Sequence, residues 1–309
     1  VEVQAGNKAH SNHSLPGLMA LLNRLPANCK PEFVRGDIGY GTDKMMKELE
    51  AISQHYLFKL KRSKYVQELI HKHHCLGEWT VVRKDWEAKE SSIKLMGWEK
   101  ERRVVIVRRR LPQESMTAVE YNVAGQQEMS FVDDPEDIKL YEYSVLVTDL
   151  EDDLVSVFYH YRDRADCENN FDEMKNQWGW GGYATQDIKS CQFMSRMIAL
   201  IYNWWNLFTR LAIPDKHHEA ITSRPLLLSS IGRLTKTNRQ RKMMITSTHG
   251  DTKKLQSIYK RLVQFFNNLK AIAPQLTLYE CWCHILAKAM EKFKDTARKT
   301  EPIKLPLPV

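Results

Sequence analysis

A chain of 309 residues is long enough for two modest domains or one domain with a large insertion, and its 43% hydrophobic content is ample for a packed core, which excludes a disordered chain. Its formal net charge of +8 favours a polyanionic partner, either nucleic acid or an anionic membrane surface. The six cysteines form no C-x-x-C pair, which argues against a zinc ribbon or a redox motif and fits reduced thiols.

The first residues, "VEVQAGNKAH", lack the basic-then-apolar layout of a signal peptide, and residues 1–5 alternate like the end of a strand closed by Gly6-Asn7. "SLPGLMALLNRL" (14–25) has helical apolar spacing, and "PEFVRGD" (31–37) reads as a short strand ending in an aspartate. "YGTDKMMKELEAI" follows as an amphipathic helix capped by Thr42 or Asp43, then "HYLFKLK" (55–61) as a strand. This strand–helix alternation is the rhythm of an α/β layer with parallel strands.

The rhythm then changes. "EWTVV" (78–82), "RRVVIVRR" (102–109) and "YEYSVLVTDL" (141–150) are β-rich, with polar connections such as "DDPEDIK" (133–139), so the middle reads as an all-β insertion. From Tyr161 onward the pattern is almost wholly helical: 161–177, 193–212, about 225–234, 252–271 and 276–295. The stretch "FMSRMIALIYNWWNLFTRLA" (193–212) carries Arg196, Asn203, Asn206 and Arg210, which suits a buried helix better than a membrane span.

Two carboxylates stand out. Asp37 ends a strand of an α/β layer, where ligands usually bind; a turn aspartate satisfied by backbone N–H groups is the plainer alternative. Glu168 lies on "YRDRADCENNFDEMK" (161–175), where Tyr161, Arg164, Glu168 and Lys175 fall within an arc of roughly 60° on a helix. Asp172 and Glu173 nearby read either as further ligands or as solvated charge in i,i+4 ion pairs. The segment "HKHHC" (71–75) could bind a transition metal but lacks a second ligand cluster, and "CWCH" (281–284) reads as helix packing. Basic runs at 102–110 and 233–242 could track phosphates or be solvated faces.

Tyr161, Arg164, Glu168 and Lys175 match Y-x(2)-R-x(3)-E-x(6)-K, and the chain resembles the bacterial insertion-sequence transposases with a DDE active site, more narrowly the DDE-domain group 1 type. "VEVQAGN", "FVRGDIGYG", "RRVVIVRRR" and the helix at 193–212 are similar to segments of that family. The resemblance implies an α/β fold: a ribonuclease-H-like catalytic core interrupted by an all-β insertion and followed by a helical C-terminal region. The expected division is core at 1–70 (its first strand missing), insertion at 71–160, core again at 161–212, helical region at 213–300 and tail at 301–309.

The implied function is Mg²⁺-dependent DNA strand cleavage and strand transfer at insertion-sequence ends, with Mn²⁺ able to substitute. Asp37 and Glu168 would be catalytic metal ligands, and Tyr161, Arg164 and Lys175 would contact DNA. Expected partners are double-stranded DNA, at the transposon ends and the target, and a second copy in a homodimer, without a membrane, in the bacterial cytoplasm at the nucleoid. A flipped base stacking on Trp79, Trp86 or Trp98 is a further family expectation, set against plain core packing. The family's first aspartate precedes the Gly-Asn segment, and only Glu2 and Glu32 precede Asp37 here, neither in the motif. The chain is therefore expected to be a fragment or an N-terminally truncated remnant. The alternative function is an inactive remnant that only binds DNA or dimerises, and a structural RNA nuclease is a third reading.

Overall fold

The computed structural model describes residue 3 and residues 10–111, 136–215, 217–229, 231–237, 240–246 and 252–292. Apart from Val3, the expected strand at 1–5 lies outside the described residues, as does the tail at 301–309. The chain divides into two compact units, Gln4–Asn169 and Asn170–Val309 together with Val1–Val3.

The first unit is mixed α/β. Its elements in order are α1 (His10–Arg24), β1 (Phe33–Gly36), α2 (Asp43–Ala51), β2 (His55–Lys59), α3 (Lys64–Leu76), β3 (Thr80–Arg83), β4 (Trp86–Ile93), β5 (Arg102–Arg110), β6 (Tyr141–Thr148) and α4 (Leu154–Arg162). The Thr42 hydroxyl accepts the Met45 N–H at 3.3 Å, the N-cap expected for α2. Strands β1 and β2 pair in parallel through the α2 crossover, and all further pairings are antiparallel. The sheet order is β1-β2-β6-β5-β4-β3.

The strands of the expected insertion thus extend the sheet that holds β1 and β2. The reason lies in β5 and β6, "VVIV" and "VLV", which are apolar at successive positions and so need cover on both faces. Tyr56, Phe58, Val104, Ile106, Val145 and Val147 face a core shared with α1, α2 and α3. The alternate residues Leu57, Val105, Val107 and Leu146 face a second core with Val157 and Phe158 of α4. Strand β4 escaped the sequence reading because "WEAKESSI" is charged and poor in β-branched residues. Its glutamates instead pair across the ladder, Glu87 with Arg108 at 2.6 Å and Glu90 with Arg103 at 2.8 Å.

The second unit holds the C-terminal part of α5 (Arg164–Trp178), in which the division falls, and then α6 (Ile188–Ala212), α7 (Ala220–Leu228), β7 (Ile231–Thr237), β8 (Gln240–Thr246), α8 (Thr252–Ile272) and α9 (Leu278–Ala289). Leu211, Leu227, Ile258, Leu262 and Phe265 form its core. The helix expected at about 225–234 is corrected: α7 stops at Leu228, and residues 231–237 and 240–246 pair as antiparallel strands. Leu226, Leu227, Leu228, Ile231 and Leu234 mimic helical spacing, but the β-branched Thr235 and Thr237 on either side of Lys236 favour a strand.

Candidate active site

The first unit carries three of the four signature side chains, and here a second correction is needed. Tyr161 and Arg164 do not lie on one unbroken helix: Tyr161 belongs to α4, Asp163 interrupts, and Arg164 opens α5. Asp163 keeps helical dihedrals (φ −62°, ψ −8°), so the interruption is only one residue long. Its physical cause is Arg35 on β1, whose Nη1 donates to the His160 carbonyl at 2.6 Å and whose Nη2 donates to the Asp163 carbonyl at 3.1 Å. In an unbroken helix the His160 carbonyl would accept the Arg164 N–H. Arg35 therefore clamps the end of β1 to the α4–α5 junction.

Across that junction the side chains still meet. The Arg164 guanidinium lies 5.4 Å from the centre of the Tyr161 ring, and its Nη1 is 2.8 Å from Glu168 Oε1. The Tyr161 hydroxyl and Arg164 Nε are buried without a hydrogen-bond partner among the described residues. Burial pushes the Tyr161 phenol up; Arg164 opposes that rise, while Asp37 and Glu168 add to it. For Arg164, burial alone would weaken the charge, but Tyr161, Glu168 and Asp37 together raise the guanidinium above its ordinary value. Asp37 and Glu168 thus act electrostatically on the same two side chains.

Asp37 is exposed just past the end of β1, and its Oδ1 accepts the Ile38 N–H at 2.7 Å. The plainer reading of this residue as a turn aspartate therefore describes part of what it does. It makes no ion pair among the described residues. Glu168 keeps 56% of its side chain exposed while paired to Arg164. Lys175, two turns along α5, is exposed in the second unit.

Gly36 sets the approach to Asp37. A Cβ there would sit 2.8–2.9 Å from the Tyr40 ring and Cβ, and that ring in turn stacks on Phe58 at 6.2 Å. Gly36→Ala is expected to destabilise the unit by about 1–3 kcal/mol, the usual cost of overpacking. A denaturant melt checks this; an unchanged midpoint would mean that Tyr40 moves aside freely.

Two carboxylate oxygen sources suit a hard divalent cation in kind. Among the described residues, however, no group of three or more His, Cys, Asp or Glu side chains could hold a metal ion. Asp37 and Glu168 would need water or substrate oxygens to complete a shell, which Mg²⁺ accepts. The "HKHHC" side chains do not converge: His73 Nε2 meets the Ser91 hydroxyl at 2.9 Å, and His74 Nδ1 meets the Tyr143 hydroxyl at 2.7 Å. Burial holds His73 below the usual imidazole range, with Lys89 and Lys72 adding to the effect.

Other candidates proved structural. Glu173 is not a solvated charge or a site ligand but a buried hub of the second unit, only 2% exposed. The basic run at 102–110 is largely neutralised internally: Arg102 by Asp43 and Glu50, Arg103 by Glu90, Arg108 by Glu87. Trp98 is core, Trp86 packs on Phe158, and Trp79 lies under the Arg108 guanidinium at 4.1 Å. Sequence reasoning missed Arg35 as a positioning residue; the R-x-D spacing of "FVRGD" was its signal.

No helix among the described residues is long and apolar enough to cross a membrane. No curated protein matches the chain. The family model of the transposase DDE domain group 1 matches residues 1–267, well over half of the sequence. That family implies a DNA substrate and a divalent metal, usually Mg²⁺. A carboxylate at the end of β1 and another beside the Tyr161–Arg164 pair are thus accompanied by a match over most of the chain, and the protein belongs to the DDE transposases of group 1.

Proposed function

We propose that this chain cuts and joins DNA at insertion-sequence ends by metal-dependent phosphoryl transfer, on a ribonuclease-H-like core whose sheet is prolonged by an inserted β segment. The observation that carries the proposal is the Arg35 clamp, which ties the strand preceding Asp37 to the α4–α5 junction where Arg164 holds Glu168 at 2.8 Å. The parallel β1–α2–β2 unit, with its carboxylate at the strand's C-terminal end, supports the same reading.

Asp37 and Glu168 would hold the cation, Mg²⁺ with Mn²⁺ able to substitute. When bound, it stabilises charge on the phosphoryl oxygens and makes water a stronger nucleophile. Arg164 orients the Glu168 carboxylate and offers its remaining donors to a phosphate. The buried Tyr161 hydroxyl has a donor to give to a phosphate oxygen, and Lys175 supplies a point charge for the DNA backbone. Arg35 holds β1 at the helix junction, so Asp37 keeps its station relative to Arg164. Duplex transposon ends, target DNA and a second copy of the chain are the partners of this reading.

The test is a labelled duplex carrying the element's own ends, incubated with the chain and Mg²⁺ or Mn²⁺. Glu168→Gln and Asp37→Asn are each expected to lower cleavage at least 100-fold while leaving duplex binding intact. Cleavage that survives both substitutions would overturn the assignment. A second reading, a chain that binds DNA or dimerises without cutting, is favoured by the lack of a three-ligand group among the described residues. Gel retardation by the unsubstituted chain without any cleavage would support it.

A further inference from the structure

The hairpin β7–β8 has no role in the chemistry above. Seven pairs join its strands, from Ile231↔Thr246 to Thr237↔Gln240. Among the described residues its substantial packing is between its own two strands. Every side chain described on it is exposed except half-buried Thr235, and even Leu234 and Met244 are 62% and 63% exposed. A two-stranded ribbon without further cover is marginal in water, so its stability suits a binding partner.

Charge identifies that partner. From Ile231 to Thr246 the sequence holds five basic residues, Arg233, Lys236, Arg239, Arg241 and Lys242, and no acidic one. The register then sorts the side chains by face, because directly paired residues share a face and neighbours along a strand alternate. Arg233 pairs with Met244, Thr235 with Lys242, and Thr237 with Gln240. One face therefore presents Arg233, Thr235, Thr237, Gln240 and Lys242, hydrogen-bonding side chains with the exposed Met244 beside Arg233. The other presents Leu234, Lys236 and Arg241.

The geometry points to β7–β8 as a two-stranded ribbon that enters the major groove of duplex DNA with the Arg233–Lys242 face toward the base edges. Lys236 and Arg241, on the opposite face near the strand ends, meet flanking phosphates. The fit is steric as well as electrostatic: the major groove is about 12 Å wide and admits a two-stranded ribbon. A strand of this length spans roughly 23 Å. The side chains are also of the right kind, since Arg and Lys pair with guanine, Gln with adenine, and Thr with either. This inference rests on the reading of the chain as an enzyme acting on DNA and adds how it selects its site.

The experiment uses the full chain and a duplex enriched on it from a randomised 20-base-pair pool, compared with a scrambled duplex of equal composition. Affinity is read by fluorescence anisotropy over a salt series, and guanine N7 protection by dimethyl sulfate footprinting. Arg233→Ala/Lys242→Ala is expected to cut discrimination between the two duplexes about tenfold or more and to erase N7 protection. Lys236→Ala/Arg241→Ala is expected to weaken both duplexes alike and to flatten the salt slope by about 2, at about 0.9 for each phosphate no longer neutralised. Circular dichroism melts matching the parent chain show that the exposed substitutions leave the fold intact.

Unchanged discrimination and protection in Arg233→Ala/Lys242→Ala would overturn the inference. So would a change in oligomeric state by light scattering with no change in duplex affinity, which would make a second copy the occupant. Loss of cleavage in Glu168→Gln together with normal DNA binding by both hairpin variants sinks this inference alone. An unsubstituted chain that binds no duplex sinks the DNA reading with it.

Discussion

Arg102→Ala is expected to destabilise the first unit by about 3–5 kcal/mol, the cost of breaking a buried ion pair from one side. Only 2% of the Arg102 side chain is exposed; its Nη1 lies 2.6 Å from Asp43 Oδ1 and its Nε 3.1 Å from Glu50 Oε1. The guanidinium also sits 5.1 Å from the centre of the Trp98 ring. Removing it leaves Asp43, 18% exposed, without that ion pair and Glu50, 20% exposed, with Lys100 at 3.0 Å as its remaining cation. Burial alone would raise the Glu50 carboxyl, but hydrogen bonds from Arg102, Lys100 and Tyr56 outweigh it and hold the group below its usual range.

The linkage follows from that direction. A carboxyl depressed in the folded state contributes stability that is present above its unfolded value, about 4.3, and lost as pH falls through the lower folded one. Urea melts across pH 7 to 3 should therefore show a gap between parent and variant that narrows on acidification. A gap below about 1 kcal/mol at pH 7 would mean that solvent already compensates the triad.

Glu173→Ala is the second large effect, expected at about 3 kcal/mol or more in the second unit. Glu173 Oε1 accepts the Ala220 N–H at 2.9 Å and faces the Trp178 indole N–H at 3.4 Å; its Oε2 lies 3.2 Å from His217 Nε2 and 3.4 Å from the Tyr202 hydroxyl. Loss of the carboxylate strands the buried Ala220 donor at the start of α7 and leaves the Trp178 indole donor without it, at about 1–3 kcal/mol for each donor left unpaired, whereas the Tyr202 hydroxyl keeps Asn170 Oδ1 at 2.9 Å. Glu173→Gln keeps the Oε1 acceptor and is expected to lose much less. Equal losses in the two variants would show that negative charge, rather than accepting geometry, is what the site requires.

Arg102 and Glu173 also show why sequence and structure divide as they do. In "RRVVIVRRR" the arginines look alike, and nothing local says that Arg102 turns inward to Asp43 and Glu50 on α2 while Arg103 turns out to Glu90. In "CENNFDEMK" the acids look alike too. Helical periodicity places Glu173 away from Glu168, but only the chain at 217–220 buries it. Both fates depend on partners distant in sequence, and a one-dimensional pattern holds no record of them.

The elements with strong local signals were legible. The Thr42 cap, the apolar cores of β5 and β6 and the long helix expected at 193–212 follow from spacing and side-chain shape, although that helix begins at Ile188 and leaves Phe193, Ile201 and Trp204 exposed where a buried helix was expected. Elements carried by cross-strand charge pairs, such as β4, were not, and the β7–β8 hairpin was masked by leucines at helical spacing.

By itself, then, the amino-acid order determined the family, through a four-residue signature and the Asp37 motif, because residue types at fixed intervals are a pattern that one dimension records in full. Only the tertiary structure decided how those groups meet. Arg35 captures the His160 and Asp163 carbonyls, interrupts the helix between Tyr161 and Arg164, and ties it to the strand that ends just before Asp37. A clamp of that kind joins residues more than a hundred positions apart, and it forms only once the sheet has brought them together.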